Sequence, residues 1–552
     1  MSVSQKYLAW LNCPAMTEEL LSDLLSMDED TRNDSFFRDL SFGTGGLRGI
    51  LGAGTNRMNA FTVLKATRGL GTYLKASFMN PSCAISFDSR IHSKDFAELT
   101  AAALAEMGIV VWIYKCLQPT PMLSFAVRHL SASAGVMITA SHNPAKFNGY
   151  KVYGSDGCQI TPKAADLIQK HINSQDDLSD YLPSFEKYLS EGTIRYISDE
   201  TIEAYYLSVM KLRVYPSYEP IHVVYTPLNG AGNIPVREML GRMGNVHVEI
   251  VAEQELPDGY FPTCPYPNPE VRDAMNLAIL KTIETNADLC IATDPDCDRM
   301  GAGVRIGNKV ELISGNDMGI LLLDYLCRHT ISNNPQPPVV VKTIVTTEMA
   351  CPLCRKYGLE LRNVLTGFKY IGEQIGILES MGQKDRFLFG FEESYGYLSG
   401  TDVRDKDAVN AVLLLCDMVS ELKAHGQTLL DRLHNLQQEF GLFIQRLLTF
   451  EYEGENGSVC MQKIMENLRK PLASFEDPIL RVSERVDYMY DCTGLPKSDV
   501  ISFSLSDDDK FIIRPSGTEP KLKAYLFTRA ENTDQAEQNL NRIQSVVDRL
   551  CK

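Results

Sequence analysis

Three aspartates stand at alternating positions in the segment ATDPDCDRMG, residues 292–301. Asp294, Asp296 and Asp298 follow an apolar run, DLCIA, that is typical of a buried strand. Carboxylate oxygens that converge in this way suit a hard divalent cation, above all Mg²⁺. An EF-hand does not fit, because its sixth position counted from Asp294 is Arg299 rather than glycine. The segment predicts a magnesium site, with a solvated acidic loop as the alternative.

A serine and a histidine stand in the segment TASHNPAKFNGYKVYG, directly after GVMIT, a run that is typical of a strand. Ligands of parallel α/β sheets bind beyond the carboxyl ends of the strands, so Ser141 and His142 hold a favourable position. Lys151 follows ten residues after the serine. The GxSxG motif is absent, which argues against a hydrolase triad. Taken alone, the segment fits an ordinary polar turn as well as a functional loop.

A local positive cluster, RPSGTEPKLK, lies between two strand-like runs near the C-terminus. Arg514 offers a planar fork of donors that suits phosphate. The hydroxyls of Ser516 and Thr518 and the backbone N–H groups around Gly517 complete a possible anion cradle. The segment predicts a phosphate-binding loop, with a simple hairpin loop as the alternative.

A fourth polar segment, FGFEESYGYLSGTDVRDKDAV, follows the strand-like run RFLFG. Glu392, Glu393 and Ser394 offer the carboxylates and hydroxyl that suit the vicinal hydroxyls of a sugar, and Lys406 follows downstream. The alternative is a capped turn leading into a helix that begins near Asp405.

A glycine-rich segment, FGTGGLRGILGAGTNRMN, covers residues 42–59. It is not a P-loop, because no GK[ST] follows, and it is not a dinucleotide fingerprint, because Arg48 takes the place of the third glycine. A glycine-flanked arginine here suggests a phosphate-facing side chain rather than a plain turn.

The elements that must position these residues follow a regular alternation. Residues 1–40 are polar with helical character and form a predicted N-terminal extension. Short apolar runs then alternate with helical periods in three successive sets, which predicts α/β units with mostly parallel sheets covered by helices. From about residue 440 the strands follow one another and a helix closes the chain, which predicts a smaller α+β unit with an antiparallel sheet. The predicted domains are 1–214, 215–332, 333–441 and 442–552.

Composition excludes several classes of protein. The 552 residues suggest three or four domains at roughly 150 residues each. The chain is 44% apolar and 22% charged, which argues against disorder, collagen-like repeats and a coiled-coil rod. A net charge of −16 makes nucleic acid and anionic membranes unfavourable partners.

The chain also lacks the signals of export. It has no run of about 18 apolar residues, and its N-terminal stretch does not resemble a signal peptide. The 14 cysteines are scattered, which favours reduced thiols in the cytoplasm. One CxxC, Cys351 to Cys354, lies in a helical stretch, where buried or tolerated thiols are favoured over a metal or redox site.

Taken together, these motifs resemble the α-D-phosphohexomutases, the family of phosphoglucomutases and phosphomannomutases. The resemblance extends from Phe42 to Tyr525 in the family's order. TASHNP resembles the phosphoserine signature, DPDCDR the metal loop, FEESYG the sugar loop and RPSGTEPKLK the phosphate loop. It implies four domains around a central cleft, with one loop from each. The sequences of these motifs are most similar to those of the branch that holds long bacterial phosphoglucomutases and mammalian-type phosphopentomutases.

The resemblance also implies roles for individual residues. Ser141 carries the phosphoryl group, Lys151 acts as general acid and base, and Arg48 stabilises the transferred charge. Mg²⁺ is held by a phosphoserine oxygen of Ser141 and by the three aspartates. Substrate-binding residues are expected at the following positions: His142, Arg299, Thr366, Gly367, Lys369, Glu392, Ser394, Lys406, Arg514, Ser516, Gly517 and Thr518.

The implied reaction interconverts a hexose 1-phosphate and its 6-phosphate, most simply of α-D-glucose, through a phosphoserine and a bisphosphate intermediate. A sugar 1,6-bisphosphate is the expected activator, and sugar phosphates are the expected partners, with no expectation for the oligomeric state. Alternatives are a phosphopentomutase, a phosphomannomutase, a sugar-bisphosphate synthase and a non-catalytic sugar-phosphate sensor. Four departures concern the substrate rather than the mechanism: DPDCDR, DKDA, GTGGLRG, and Phe368 where some relatives carry histidine.

Overall fold

Four β-sheets, built in order along the chain, organise the structure, which is a computed structural model. The first three sheets mix parallel and antiparallel pairs, and the fourth is antiparallel throughout. This confirms the predicted fold class. The structure describes residues 2–43, 45–216, 218–330, 335–452, 457–470, 481–505, 509–515 and 521–551. Three predicted phosphate-binding residues lie outside these ranges, namely Ser516, Gly517 and Thr518.

Three short helices precede the first sheet, as predicted for residues 1–40. Each begins after a serine, threonine or aspartate whose side chain accepts a backbone N–H of the first turn. The Trp10 ring packs edge-on, with its centroid 5.5 Å from that of Phe36 and 5.3 Å from that of Phe61. Because Phe61 belongs to the next helix, this contact fastens the extension to the first unit. The bounds are α1 (Val3–Leu11), α2 (Glu18–Ser26) and α3 (Glu29–Phe36).

The first sheet has six strands, and its apolar runs form the parallel centre. The strands are β1 (Gly46–Ile50), β2 (Ser82–Phe87), β3 (Val110–Ile113), β4 (Ala134–Ile138), β5 (Phe147–Gly154) and β6 (Ile194–Tyr196). The helices are α4 (Ala60–Ser77), α5 (Ser93–Glu106), α6 (Thr120–His129), α7 (Pro162–Asn173), α8 (Phe185–Ser190) and α9 (Asp199–Met210). The strand order is β1-β5-β4-β2-β3-β6, with β5 and β1 antiparallel at one edge.

Strands β1 and β5 correct the sequence analysis, which treats both segments as loops. They pair with each other, and Arg48 lies opposite Gly149 in their register. A Cβ at Gly149 would lie 2.6 Å from the Thr139 oxygen and 2.8 Å from the Leu47 oxygen. Glycine therefore serves here to let three backbone segments approach closely. The glycines of these two segments, which suggested loops, therefore lie in strands whose backbones are closely packed.

The second sheet has five strands in the order β11-β10-β9-β7-β8. Its strands are β7 (Ile221–Thr226), β8 (Val246–Ile250), β9 (Leu289–Thr293), β10 (Met300–Ile306) and β11 (Lys309–Ile313). Its helices are α10 (Asn233–Met243), α11 (Ala252–Glu255) and α12 (Arg272–Thr285). Strands β7, β8 and β9 are parallel, whereas β10 and β11 are antiparallel additions that the sequence analysis did not predict.

The third sheet has four strands in the order β13-β12-β14-β15, with β15 antiparallel at the edge. Its strands are β12 (Val339–Thr343), β13 (Glu360–Val364), β14 (Phe387–Glu392) and β15 (Gly396–Ser399). Its helices are α13 (Gly315–His329), α14 (Ala350–Tyr357), α15 (Phe368–Ser380), α16 (Ala408–Ala424) and α17 (Leu429–Phe440), with a 3₁₀ turn at Lys384–Arg386. Helix α13 packs on β14.

The fourth sheet is antiparallel, in the order β16-β20-β19-β18-β17. Its elements are β16 (Leu442–Glu451), α18 (Gly457–Leu468), β17 (Val482–Asp487), β18 (Ile501–Leu505), β19 (Lys510–Pro515), β20 (Lys521–Ala530) and α19 (Thr533–Cys551). A small apolar cluster that includes Val345, Leu365, Tyr525 and Phe527 joins it to the third unit. Gln445 adds a polar link, since its Nε2 donates to the Val345 oxygen at 3.0 Å.

The buried apolar side chains divide unevenly among the units. One continuous core runs from Tyr114 in the first unit through the second and third units to Phe440 at the end of α17. The fourth unit has its own core between its sheet and helices α18 and α19. The four predicted domain boundaries remain predictions, although each sheet is made from one stretch of chain. Among the described helices, none combines the length and apolar character needed to cross a bilayer.

Candidate active site

A cleft of about 1220 Å³ lies between the four units. Its wall includes side chains from each predicted polar segment, although these segments are far apart in sequence. The predicted site residues that line it are Arg48, His142, Arg299, Thr366, Gly367, Glu392, Ser394 and Arg514. The other described site residues do not line the cleft, namely Ser141, Lys151, Asp294, Asp296, Asp298, Lys369 and Lys406. Ser141 and the three aspartates are buried, and the three lysines are half-buried.

Ser141 lies in a tight turn that begins just after strand β4. Its φ of 53° is left-handed, and its backbone N–H donates to the Thr139 hydroxyl at 2.8 Å. The Ser141 hydroxyl donates to Asp294 Oδ2 at 2.8 Å and lies 3.3 Å from His142 Nδ1. The serine of the first unit therefore contacts the acidic loop of the second. Both lie beyond the carboxyl ends of parallel strands, where ligands of such sheets bind.

The three aspartates converge at the end of β9. Each offers a carboxylate oxygen within 4.8 Å of the others, and all three side chains are buried. Asp294 Oδ1 accepts the backbone N–H groups of Asp298 at 3.1 Å and Arg299 at 3.0 Å, which closes the turn. Within the described part of the chain, the Oδ1 atoms of Asp296 and Asp298 are buried without a hydrogen-bond partner. Such orphaned oxygens fit a divalent cation as their missing partner.

The charges in the acidic loop are unbalanced. Burial, together with repulsion from Asp296 and Asp298, holds the pKa of Asp294 well above its usual range. Burial and the neighbouring Asp296 likewise raise the pKa of Asp298. Burial also acts on Asp296, but the Lys151 ammonium outweighs it and lowers the pKa of that carboxyl. A bound cation would relieve the repulsion that remains.

Two half-buried lysines reach the acidic loop from different units. Lys151 on β5 places its Nζ 2.8 Å from Asp296 Oδ2 and 3.8 Å from Asp298 Oδ2. Lys406 places its Nζ 3.1 Å from both Asp298 Oδ2 and Asp405 Oδ1. Burial opposes the charge of Lys151, yet these carboxylates raise its pKa. Both lysines are therefore ammonium groups at neutral pH and can hold or donate a proton.

The imidazole of His142, which lines the cleft beside the Ser141 hydroxyl, is held neutral. Burial and the positive charges of Arg299 and Arg48 place its imidazole pKa well below the usual range. Arg299 itself pairs with Glu270, another residue of the cleft wall. A neutral imidazole beside Ser141 Oγ can accept or donate a hydrogen bond without adding charge.

The sugar-type loop follows strand β14 on the wall of the third unit. Burial raises the pKa of Glu392, and burial together with Glu392 raises that of Glu393 to about 7. The Thr346 hydroxyl donates to Glu393 Oε2 at 3.1 Å. The Thr366 hydroxyl is buried without a partner in the described chain, and it faces this wall beside Gly367. These carboxylates and hydroxyls suit a polyhydroxylated ligand.

The fourth unit contributes positive charge to the cleft. Arg514 stands near the end of β19, its Nε is buried without a hydrogen-bond partner among the described residues, and its guanidinium carbon lies 6.0 Å from the centre of the Tyr525 ring. Lys523 lies opposite Arg514 in the pairing of β19 with β20. Burial and the nearby Arg514 lower the pKa of Lys523. Two cations with an unsatisfied donor favour an anionic ligand at this end.

The sequence analysis missed Arg90, which organises the serine turn. Its fully buried guanidinium donates to the carbonyls of Pro144 at 3.1 Å and Phe147 at 3.0 Å, and to those of Ser141 and Asn143. Its Nε lies 3.4 Å from Asp88 Oδ2. The Ser141 carbonyl and the His142 N–H belong to the same trans peptide group, in which they point in opposite directions. Because Arg90 binds the carbonyl, the His142 N–H points away from Arg90.

A positional signal for Arg90 was present in the sequence. Asp88, Ser89 and Arg90 follow strand β2 at its carboxyl end, where the same rule that singled out Ser141 applies. Asp88 Oδ2 accepts from the Thr139 hydroxyl at 2.6 Å, which links the two strand ends. Asp405, which accepts from the Tyr153 hydroxyl at 2.8 Å, was likewise considered only as a helix start.

We expect Arg90→Lys to lower kcat by about ten- to a hundredfold, because one ammonium cannot replace a planar fork that holds four carbonyls. The KM for substrate should change much less, since Arg90 does not line the cleft. Steady-state kinetics check this, with Arg128→Lys as a matched control in the same unit. Activity recovered by free guanidinium in Arg90→Ala would separate positioning from misfolding. An unchanged kcat in Arg90→Lys contradicts the role.

The CxxC lies on α14, away from the acidic loop. Cys354 is buried and Cys351 partly buried, and the Cys351 thiol donates to Glu348 Oε2 at 3.2 Å. Burial raises the thiol pKa to about 11 for Cys351 and about 12 for Cys354. Thiols with such pKa values are poor nucleophiles at neutral pH.

Comparison with known protein families identifies three consecutive matches. Residues 39–179 match Phosphoglucomutase/phosphomannomutase, alpha/beta/alpha domain I. Residues 204–307 match domain II of the same description, and residues 314–440 match domain III. Together the three matches cover more than half of the chain.

Curated relatives are similar over nearly the full length. A phosphoglucomutase from Staphylococcus saprophyticus subsp. saprophyticus is 36% identical over 547 residues, which cover 96% of this chain and 99% of that protein. A phosphoglucomutase from Staphylococcus haemolyticus is 35% identical over 520 residues, which cover 92% and 94%.

Solved structures share the fold at lower identity. The open form of pp63/parafusin, a Paramecium phosphoglucomutase, aligns with a TM-score of 0.70 at 18% identity and covers 93% of this chain and 94% of that chain. A phosphoglucomutase/phosphomannomutase family protein from Burkholderia thailandensis aligns with a TM-score of 0.69 at 17% identity and covers 92% and 97%.

Proposed function

The chain belongs to the phosphoglucomutase/phosphomannomutase family, and from this premise we propose that it is a phosphoglucomutase. Its reaction interconverts α-D-glucose 1-phosphate and glucose 6-phosphate, which makes it an isomerase. The contact that carries this proposal is the 2.8 Å hydrogen bond from Ser141 Oγ to Asp294 Oδ2, beside a cleft with positive charge at both ends. A serine held against a metal-type acidic loop suits phosphoryl transfer.

In the proposed cycle, phosphorylated Ser141 transfers its phosphoryl group to the free hydroxyl of the bound sugar phosphate. The sugar bisphosphate that results turns over in the cleft and returns its other phosphate to Ser141. The aspartates and a phosphoserine oxygen would hold Mg²⁺, which supplies positive charge against the developing negative charge of the phosphoryl group. A sugar 1,6-bisphosphate would phosphorylate an enzyme that has lost its phosphate, and so act as activator.

Protein side chains supply the remaining charge and the proton transfer. Arg48 on β1 lines the cleft and would stabilise the phosphoryl group during transfer. Lys151, 2.8 Å from Asp296, would give its proton to the Ser141 oxygen as the P–O bond breaks, and it would take up the proton of the attacking sugar hydroxyl to become an ammonium again. Lys406, 3.1 Å from Asp298, would keep the local charge balanced while Lys151 is neutral.

The sugar would lie against the wall of the third unit. Glu392 and Ser394 line the cleft and would accept and donate hydrogen bonds with the ring hydroxyls. The unsatisfied Thr366 hydroxyl beside Gly367 offers one more donor on the same wall. His142, Arg299, Lys369 and Lys406 remain proposed substrate ligands.

The distal phosphate would bind at Arg514, together with Ser516, Gly517 and Thr518 beyond the described residues. The Arg514 Nε, which has no hydrogen-bond partner among the described residues, and the adjacent Lys523 support this assignment. The same clamp must hold each end of the bisphosphate in turn, because either phosphate lies distal to Ser141 at some stage.

We expect Arg514→Ala to weaken binding about ten- to a hundredfold, which corresponds to roughly 1.5–3 kcal/mol for a charge-assisted contact. Some kcat should be lost as well, because remote contacts orient the reacting end. A loosened bisphosphate should also escape more often, so single-turnover experiments should detect more free bisphosphate. Wild-type KM together with wild-type leakage would show that Arg514 holds no phosphate.

A substrate panel tests the proposed reaction directly. With a catalytic trace of glucose 1,6-bisphosphate, kcat/KM should be highest for glucose 1-phosphate and lower for the mannose and ribose 1-phosphates. Absence of turnover with all three would exclude a mutase acting on these sugars. A preference for ribose or mannose 1-phosphate would mean that this sugar, rather than glucose, is the substrate.

We place this enzyme in the cytoplasm. The described cysteines, 14 in all, are free thiols, which suits a reducing compartment. We also propose that domains 1–214, 215–332, 333–441 and 442–552 each carry one loop of the site. No nucleic acid or membrane enters the reaction.

A further inference from the structure

We propose that His222, His247 and Glu249 form a second metal-binding site, which takes a transition-metal ion of the Zn²⁺ class. The three residues belong to the neighbouring parallel strands β7 and β8. One potential ligand atom of each lies within 4.8 Å of the other two. The proposal goes beyond phosphoryl transfer and does not depend on it.

The strand register places the three side chains together. His222 pairs with His247, and Val224 pairs with Glu249. Since alternate residues of a strand point to the same face, His247 and Glu249 share a face of β8, and His222 lies directly across from His247. The centroids of the two imidazole rings are 4.6 Å apart.

The sheet face that carries these three residues is accessible to solvent at β8. The intervening residues of β8, Val246, Val248 and Ile250, pack against the continuous core on the opposite face. Strand β8 is at the edge of its sheet, and His247 is exposed. The three ligands therefore sit where a hydrated ion can enter without any rearrangement of the core.

His222 Nε2 and Glu249 Oε1 are in direct hydrogen-bond contact at 2.9 Å. A bound metal ion would replace this contact and hold the two atoms slightly further apart. Two ligand atoms on a tetrahedral Zn²⁺ are about 3.3 Å apart, given metal–ligand distances near 2.0–2.1 Å. The exposed His247 ring needs only a side-chain rotation to supply the third ligand. Two imidazole nitrogens and one carboxylate oxygen favour Zn²⁺ over Mg²⁺, with water completing the shell.

The surrounding charges leave the ligand atoms accessible. Lys281 on α12 places its Nζ 3.6 Å from Glu249 Oε2, which is the other oxygen of the carboxylate. Asp288 accepts the backbone N–H of His222 at 2.8 Å and pairs with Lys423 at 2.8 Å. Glu249 Oε1 therefore remains the oxygen that faces the histidines.

This cluster is remote from the acidic loop of the cleft. The Asp288 backbone N–H, just before β9, donates to the His222 carbonyl, and the His222 N–H donates to the Asp288 carboxylate, whereas Asp294 follows the end of that strand. The length of β9 separates the two groups by about 20 Å at roughly 3.3 Å per residue. Loss of the His222 cluster should therefore leave mutase turnover unchanged, and the two sites can be tested independently.

The test is a titration of the full chain with Zn²⁺ while excess Mg²⁺ occupies the acidic loop. We expect wild type to bind one more equivalent of Zn²⁺ than His247→Gln and Glu249→Gln, or to bind it at least about tenfold more tightly. His434→Gln removes an exposed histidine outside any such group and should behave as wild type. Circular dichroism would confirm that all three variants are folded.

Co²⁺ provides a second readout, because imidazole nitrogen in a low-coordinate shell intensifies its visible absorption. Wild type should show this absorption in excess Mg²⁺, and His247→Gln should lose it. Equal Zn²⁺ binding by wild type, His247→Gln and Glu249→Gln would overturn the site. Loss of binding in His434→Gln would overturn it too, because the effect would then not be specific to the cluster.

Discussion

Ser141→Ala should lower mutase turnover by about four or more orders of magnitude, because it removes the only oxygen that the proposed cycle phosphorylates. The fold should survive. The Ser141 hydroxyl donates one hydrogen bond, to Asp294, and its loss costs about 1 kcal/mol. Alanine adopts the same left-handed turn at no greater cost than serine.

Intact-mass analysis and peptide mapping check the covalent step. Wild type incubated with a sugar bisphosphate should gain one phosphate, located on Ser141, and the alanine variant should gain none. Ser89→Ala is a suitable control, since Ser89 Oγ is buried at a neighbouring strand end with no hydrogen-bond partner in the described chain. Near-normal turnover of Ser141→Ala would exclude the phosphoserine mechanism.

Asp294→Asn should have opposite effects on activity and on stability. Asparagine matches the shape of aspartate: its Oδ1 can still accept the backbone N–H groups of Asp298 and Arg299, and its Nδ2 can donate to the Ser141 hydroxyl. It removes one charge from the triad, so turnover should fall by about two to four orders of magnitude and Mg²⁺ should bind more weakly. The metal-free protein should become more stable, because the buried repulsion with Asp296 and Asp298 is reduced.

The pH dependence of that stability gain has a definite sign. The folded-state pKa of Asp294 is raised, so the folded protein binds this proton more tightly than the unfolded chain does. Above the folded-state pKa, the negative charge of Asp294 therefore destabilises the folded protein. This destabilisation decreases as the pH falls through the folded-state pKa and the carboxyl becomes protonated. The difference between metal-free Asp294→Asn and wild type should shrink accordingly in chemical denaturation.

Asp407→Asn is a matched control for this experiment. Burial raises the pKa of Asp407 to about 6, and its carboxylate caps α16 and accepts from the Tyr205 hydroxyl, with no hydrogen bond to the acidic loop among the described residues. The control should retain the extra stability that Mg²⁺ confers on wild type. If chelation leaves the activity of wild type unchanged, or if Asp294→Asn retains full Mg²⁺ dependence, the metal assignment is wrong.

The fold class could be predicted because the central strands are short apolar runs bounded by helical periods. The strands β4 and β9 within GVMIT and DLCIA are buried on both faces, as is typical of central parallel strands. Strands β1 and β5 could not be predicted in the same way. They contain polar residues and glycines, and glycines such as Gly149 serve close backbone approach rather than a turn.

The candidate site could be predicted as a set of loops but not as a set of contacts. Parallel strands deliver Ser141 and Asp294 to corresponding edges of their sheets, which a sequence pattern can indicate. Arg90 could not be assigned its role, because it binds backbone carbonyls, and these have no sequence signature. Its roles and those of the other site residues stay predictions until variants are measured.

The continuous core from Tyr114 to Phe440 has a consequence for synthesis. Its two ends are separated by roughly 300 residues, so the core stays incomplete until most of the chain has been translated. At about 5–20 residues per second, the first unit waits on the order of 15–60 s with apolar surface uncovered. The nascent chain should therefore depend on chaperones during translation, whereas the fourth unit, with its own core, can fold as soon as it emerges.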